Sequence, residues 1–150
     1  MKATAVGAGE PGDSRTYVLV GQPGEDAFAI LGDFARDHDL TAAQITGIGA
    51  FAQATVGWFD RQTKAYRRIQ IDQQCELLSL VGDIADSDDG PQVHAHVVLG
   101  LADGTTRGGH LLAAEIWPTL EAIVRESPAH LRKTSHPEIG LALIDPDRTT

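Results

Sequence analysis

A strand of alternating polarity followed by a short glycine loop places the strongest constraint on this fold. Residues 92–100, QVHAHVVLG, alternate between polar and apolar side chains over their first half. Successive side chains of a β-strand point to opposite faces, so His94 and His96 are predicted to share one face of the strand. The sequence Ala-Asp-Gly at 102–104 predicts a three-residue hairpin loop in which Gly104 takes the left-handed conformation. We therefore expect the chain to fold around an antiparallel pair of strands.

The length of this loop determines which residues face each other across the hairpin. If Leu101 faces Thr105, His96 lies directly opposite His110. Opposed Cβ atoms in such a pair are about 4.5–5.5 Å apart, so the imidazoles of both strands could converge on one ion. A two-residue Asp-Gly turn, or a bulge at the glycines of residues 108–109, would shift the register by one and move His110 to the other face.

Three imidazoles on neighbouring strands are a ligand set for a transition metal. Neutral imidazole binds zinc, and also nickel, copper or iron, and three protein ligands on zinc leave one position for water or substrate. We predict a metal site formed by His94, His96 and His110, with Zn²⁺ as the expected ion. The alternative is that these histidines only pack or face solvent. Glu76 and Glu121 are candidates for carboxylates that accept a hydrogen bond from a ligating ring. No residue is assigned a catalytic role.

The remaining sequence predicts one helix and several strands. Residues 25–38 have helical spacing of their apolar side chains. Trp117-Pro118 is expected to end the second hairpin strand, and residues 119–125 read either as a short helix or as another strand. The predicted fold class is α+β (α/β), a compact single domain with a mainly antiparallel sheet and one principal packed helix. Strands are predicted at residues 16–20, 43–49, 52–60, 65–72, 76–84 and 139–144, and a polar loop at 127–137.

Length and end composition predict the domain organisation. At 150 residues the chain is long enough for one sizeable core. Residues 1–14 are rich in Gly, Ala, Pro and Asp and are expected to form a flexible leader, residues 15–145 the domain, and residues 146–150 a flexible tail. The sequence has no signal peptide and no apolar run near the roughly 18 residues of a membrane span, so no membrane association is expected and the predicted location is cytoplasmic.

Net charge bears on the class of partner. The chain carries 12 Lys and Arg against 21 Asp and Glu, a formal net charge of -9. Nucleic-acid binding draws its affinity from basic residues that neutralise phosphates, so direct DNA binding by this acidic chain is disfavoured. The one basic cluster, Arg61, Lys64, Arg67 and Arg68, surrounds a predicted turn and is interpreted as a solvated turn. The single cysteine, Cys75, is interpreted as structural.

Four motifs together resemble the plants-and-prokaryotes conserved (PPC) domain, a domain of unknown function. They are GIGAF at 47–51, ELLSLVGDI at 76–84, DGPQVHAHVVLG at 89–100 and GGHL at 108–111. The resemblance implies a bacterial stand-alone member, a homotrimer, and a metal held by His94, His96 and His110. It also implies a strand at residues 119–125. Plant members join this domain to AT-hooks, short basic segments that enter the DNA minor groove, and no AT-hook core occurs here.

These observations lead to three hypotheses about function. The first is a metal-binding homotrimer whose three-histidine site, holding zinc, binds a small-molecule ligand or serves assembly. The second is a zinc-dependent hydrolase or hydratase that activates a bound water, which requires a substrate cleft and a proton-handling partner beside the metal. The third is a DNA-associated regulator that acts through a basic partner.

Overall fold

The computed structural model describes residues 1–6 and 14–150 of the chain. These residues contain nine β-strands, one α-helix and a 3-10 helix at Pro146–Arg148. The helix is α1 (Ala27–Asp37), and the strands are β1 (Lys2–Val6), β2 (Thr16–Gly21), β3 (Ala42–Asp60), β4 (Ala65–Ile71), β5 (Cys75–Ala85), β6 (Gln92–Gly100), β7 (Thr106–Glu126), β8 (Lys133–His136) and β9 (Leu141–Ile144).

Seven strands form one antiparallel sheet in the order β1-β2-β7-β6-β5-β3-β4. The strand β7 is 21 residues long, and its length allows it to pair with β2, β3 and β6. Because β7 also pairs with β3, the pairings of β3, β5, β6 and β7 close into a ring. The ring gives these strands an inner face and an outer face. The strands β8 and β9 form a separate two-stranded hairpin after the main sheet.

The inner face carries the hydrophobic core. In β6 the side chains of Ala95, Val97 and Leu99 are buried, whereas the alternate side chains face outward. The helix α1 adds Leu31 and Phe34, which are also buried. Since neighbouring residues of a strand face opposite ways, burial of the apolar set places His94 and His96 together on the outer face.

The predicted α+β class with a principal packed helix is wrong. The described residues form a β-rich fold with one α-helix of 11 residues, and most of the remaining length lies in antiparallel strands. The sequence prediction divided residues 42–60 into two short strands, whereas the structure has one strand, β3. A shift of register between Gly47 and Gly49 lets β3 continue through the glycine segment, because a bulge changes the direction of a strand without ending it.

Three local predictions also differ from the structure. Within the expected leader, Lys2–Val6 form β1 and pair with β2, and residues 7–13 lie outside the described residues. Strand β7 does not end at Trp117-Pro118 but continues to Glu126. Residues 119–125 are therefore a strand, as the resemblance implied, and not a short helix. The expected polar loop at 127–137 contains β8, which pairs with β9. For β1 and β7, pairing with strands distant in sequence decides the structure over local composition, whereas β8 and β9 pair as a local hairpin.

No helix in residues 1–6 and 14–150 combines the length and the apolar character that a membrane crossing requires.

The core position of Leu99 gives a test of the assigned faces. Leu99 is fully buried on the inner face of β6, whereas Leu143 of β9 is 38% exposed. We expect Leu99→Ala to lower the free energy of unfolding by about 2–5 kcal/mol, since burial is lost and a cavity remains. Leu143→Ala, the matched control, should cost clearly less. Urea denaturation measures both, and equal losses would contradict the assignment.

Candidate metal centre

The hairpin of β6 and β7 brings histidines from two strands to one face. His96 lies directly opposite His110 in the register, as the loop length predicted. The loop is closed by a hydrogen bond from the Leu101 backbone N–H to the Thr105 carbonyl at 2.9 Å. Gly104 has a φ of +80°, the left-handed conformation that this loop requires. The glycine pair does not shift the β6–β7 register, so the expected facing pair is confirmed.

The three imidazoles form one cluster. One ring nitrogen from each of His94, His96 and His110 can be chosen so that all three lie within 4.8 Å of one another. The Nε2 atoms of His94 and His96 are 3.2 Å apart. Zinc bonds of about 2.0–2.1 Å at a tetrahedral angle place two ligand nitrogens about 3.3 Å apart. The donor set therefore suits an ion with three protein ligands, and the His94–His96 pair has the spacing that a tetrahedral ion requires. His96 is exposed, so the cluster opens to solvent.

Two side chains from other strands contact the rings of His94 and His110. Asp83 lies opposite His94 in the pairing of β5 with β6, and its Oδ2 is 3.3 Å from His94 Nδ1. The Tyr66 hydroxyl is 3.4 Å from His110 Nδ1, and the two rings stack with centroids 4.6 Å apart. Both Nδ1 atoms thus have a partner, which leaves the Nε2 atoms of these two rings available as ligands.

A buried lysine lies behind Asp83. Lys133 of β8 places Nζ 3.2 Å from Asp83 Oδ1, and only 5% of its side chain is exposed. Asp83 Oδ1 is buried and has no aligned hydrogen bond, so the contact with Lys133 is an ion pair and not a directed hydrogen bond. The Asp83 carboxylate therefore joins a cation on one side to an imidazole on the other.

Electrostatics keep two of the imidazoles neutral. Burial, then the neighbouring His94 and His96 and finally Lys133, lower the pKa of His110 to about 4. Burial and then His94 lower the pKa of His96, and Asp83 partly opposes this effect. A neutral imidazole has a lone pair available for a metal, so both rings are in the ligand-competent form at neutral pH.

The two glutamates predicted to support the site lie elsewhere. Glu76 faces Gly100 in the β5–β6 pairing, seven residues before Asp83. At about 3.3 Å per residue this separates it from the site by roughly 20 Å along the strand. Glu121 faces Val20 and Ile48, and is eleven residues beyond His110 on β7. The structure replaces both with Asp83.

Sequence reasoning missed Asp83, Tyr66 and Lys133. Asp83 had a detectable signal, since it is an acidic residue inside the otherwise apolar segment LLSLVGDI. Tyr66 had a weaker one, as an aromatic residue that alternates with arginine on its strand. Lys133 had none, because it lies in a short polar segment whose position depends on the packing of the whole chain.

The family assignment follows from a match over most of the chain. The sequence model of the Plants and Prokaryotes Conserved domain, abbreviated PCC or PPC, matches residues 8–128. This range contains all three histidines and the strands β2–β7. The chain belongs to this family, as its motifs predicted.

Solved structures with the same fold come from several prokaryotes. A protein from Bacteroides thetaiotaomicron, described provisionally as DNA-binding, has a TM-score of 0.87 at 25% identity and covers 97% of this chain and 99% of its own. A PPC protein from Pyrococcus horikoshii has a TM-score of 0.82 at 29% identity, with 96% and 94% covered. A metal-containing protein from Archaeoglobus fulgidus has a TM-score of 0.78 at 32% identity, with 86% and 91% covered.

A longer curated relative contains a similar segment. The bifunctional protein GlmU of Synechococcus sp. strain JA-3-3Ab is 34% identical over 130 residues, which is 83% of this chain and 20% of that protein. The chain thus spans about a fifth of the length of this relative.

The lowered pKa of His110 predicts a pH dependence. The folded value is about 4 against an ordinary value of 6.5. Between these values the unfolded chain binds more protons at this residue, so His110 makes the free energy of unfolding fall as pH decreases from about 6.5 to 4. We expect the His110 ring in metal-free protein to titrate near pH 4 by NMR. His110→Asn should flatten the stability profile in this window. A midpoint near 6.5 would contradict the burial of the ring.

Proposed function

We propose that this PPC-domain protein is a zinc-binding homotrimer whose His94, His96 and His110 hold the ion, and that the site binds a small-molecule ligand or serves assembly. The observation that carries the proposal is the convergence of three ring nitrogens within 4.8 Å of one another. Three neutral imidazoles suit zinc and leave one coordination position for a ligand. The metal-containing relative from Archaeoglobus fulgidus supports a metal in this family.

An exposed apolar surface supports self-association. We define the outer apolar face as Ile48, Leu78, Val81, Val98 and Ile123, each between 43% and 60% exposed. Four of these residues lie on the neighbouring strands β3, β5 and β7, and all four line one concavity of about 500 Å³. Contiguous exposed apolar surface of this kind marks an interaction site.

The outer apolar face borders the histidines, which is why a second copy is the favoured occupant. Val81 lies directly opposite His96 in the pairing of β5 with β6. Copies that meet on this face would bury Val81 and bring a subunit boundary next to the metal site. Such a boundary would let one ion serve both ligand binding and assembly.

The other hypotheses have less support. A cavity of about 450 Å³ adjoins Asp83 and is lined by Gln44, Arg125 and their neighbours, but the three histidines are not among the described residues of its walls. A hydrolase or hydratase would need a cleft that reaches the imidazoles. The net charge of -9 continues to disfavour direct DNA binding, although a relative is described as DNA-binding.

Zinc content tests the metal assignment. We expect tag-free protein to contain about one zinc per chain by elemental analysis, since three imidazoles and one open position complete a tetrahedral site. The double variant His94→Ala/His110→Ala should lose the ion. His136→Ala is the matched control, because His136 contacts Glu138 and not the cluster. No zinc in the parent, or equal zinc in both variants, would contradict the assignment.

Light scattering tests self-association. The chain mass is 16.0 kDa, so a trimer should scatter with three times that mass. We expect Leu78→Glu to shift the protein toward monomer, because a charge in an apolar interface is costly to desolvate. Leu143→Glu, on β9 and outside the outer apolar face, should leave the mass unchanged. A monomeric parent protein would rule out the trimer.

A further inference from the structure

Asp83 is a carboxylate in an unusual position. It lies on β5, in the interior of the sheet between β3 and β6, and directly opposite His94. Its two oxygens have different neighbours: Oδ2 is 3.3 Å from His94 Nδ1, and Oδ1 is 3.2 Å from Lys133 Nζ. A carboxylate that is held on both sides cannot rotate freely toward solvent. Asp83 is therefore a fixed acceptor next to the histidine cluster.

This contact determines how His94 presents its ring. A carboxylate oxygen 3.3 Å from Nδ1 attracts an N–H dipole and repels a nitrogen lone pair, so the proton of a neutral His94 ring is expected on Nδ1, with the lone pair on Nε2. His94 Nε2 is the atom that lies 3.2 Å from His96 Nε2. The contact with Asp83 thus selects the tautomer and the ring orientation in which His94 can share an ion with His96.

Lys133 is the group that holds Asp83. A buried ammonium group is costly to desolvate unless it is paired, and the carboxylate of Asp83 is the partner the structure provides. The lysine is itself held by the backbone. The Lys133 N–H donates to the Asp86 carbonyl at 2.8 Å, and the Asp86 N–H donates to the Leu131 carbonyl at 2.8 Å. The start of β8 is thereby fixed against the end of β5.

The same segment is tied down by a second ion pair. Arg132 contacts Asp86 at 2.6 Å and Asp88 at 2.5 Å. Among the described strands, β8 and β9 pair only with each other. An isolated bridge between Asp86 and Arg132 lies just before β8. The attachment of this hairpin to the main sheet at this end therefore depends on a small number of polar contacts, and Lys133 is the one that reaches the site.

We infer that Asp83 and Lys133 are positioning residues of the metal site, and that Lys133 couples the docking of the β8–β9 hairpin to metal binding. Asp83 orients His94, and Lys133 holds Asp83 in place. The inference rests on the proposed zinc site and adds the two residues that prepare it. By linkage, zinc that favours the oriented form of His94 also favours the docked hairpin.

Three variants separate positioning from a general charge effect. Asp83→Asn removes the charge that faces His94. Lys133→Met keeps most of the aliphatic side chain and removes the ammonium group. Asp72→Asn is the control for Asp83→Asn, because it removes the same charge from an exposed side chain away from both the histidines and the β8–β9 hairpin. Zinc affinity is measured for each by competition with a chelating dye.

We expect Asp83→Asn to weaken zinc binding by about 10–100-fold, the range typical for removing a group that contacts the second ring nitrogen of a ligating histidine. Lys133→Met should weaken it as well, but by less. A purely electrostatic role of Lys133 predicts the opposite sign, since removal of a positive charge near the ion would strengthen binding. Asp72→Asn should retain the affinity of the parent. Parent-like affinity in Asp83→Asn, or tighter binding in Lys133→Met, would overturn the inference.

One further measurement distinguishes failure of this inference from failure of the zinc proposal. The nitrogen NMR spectrum of metal-free protein reports the His94 tautomer, which should be Nδ1–H in the parent and mixed in Asp83→Asn. A mixed tautomer in the parent would overturn the role of Asp83 even if zinc binds. If the parent binds no zinc, the proposed function fails, and the tautomer alone decides whether Asp83 positions His94.

Hydrogen exchange tests the coupling. Zinc should slow amide exchange in residues 131–145 of the parent, and this protection should be lost in Lys133→Met. The Leu99 region of β6 serves as an internal reference, because its amides belong to the main sheet. Protection of 131–145 that is the same in both proteins would show that Lys133 is structural only.

Discussion

The backbone pairing of β6 with β7 is the interaction on which the candidate site depends. His96 and His110 share a face only because the hairpin loop sets them directly opposite each other. A slip of one residue would turn His110 to the inner face and break the cluster. The glycine at 109 matters here, since a Cβ at that position would meet the Gly57 carbonyl oxygen at 2.7 Å. A side chain at this position would push β3 away from β7. The close packing of these two strands and the position of His110 therefore both depend on this glycine.

The ring of pairings among β3, β5, β6 and β7 gives the sheet an inner face that holds the core and an outer face that holds the candidate site. The inner face buries the apolar side chains that stabilise the fold. The outer face is left to carry the imidazoles, Asp83 and the outer apolar face. Because Val81 and His96 are opposed across β5 and β6, the apolar surface and the candidate metal site meet without an intervening loop. Rigid strands position such groups more precisely than loops do, which suits a site that must hold three nitrogens in place.

The relatives place this domain in two kinds of protein. The Bacteroides thetaiotaomicron protein is covered over 99% of its length, so the domain makes up nearly all of that chain. In the Synechococcus GlmU protein the matched segment is 20% of the whole. A domain that occurs both nearly alone and within a longer chain must bury its own core. The inner-face residues of β6 and β7 are buried by other strands and by α1 of this same chain, which agrees with this requirement.

The sequence by itself determined the family, the hairpin, its loop and the facing of His96 and His110. These features are local, because alternation and turn length act over a few residues and define a register. The β-rich class, the continuation of β7 past Pro118 and the pairing of Lys2–Val6 were decided by tertiary structure, since they depend on partners that are distant in sequence. The same holds for the groups around the histidines. Asp83, Tyr66 and Lys133 come from three other strands, and only the packing of the ring and the docking of β8 bring them to the imidazoles.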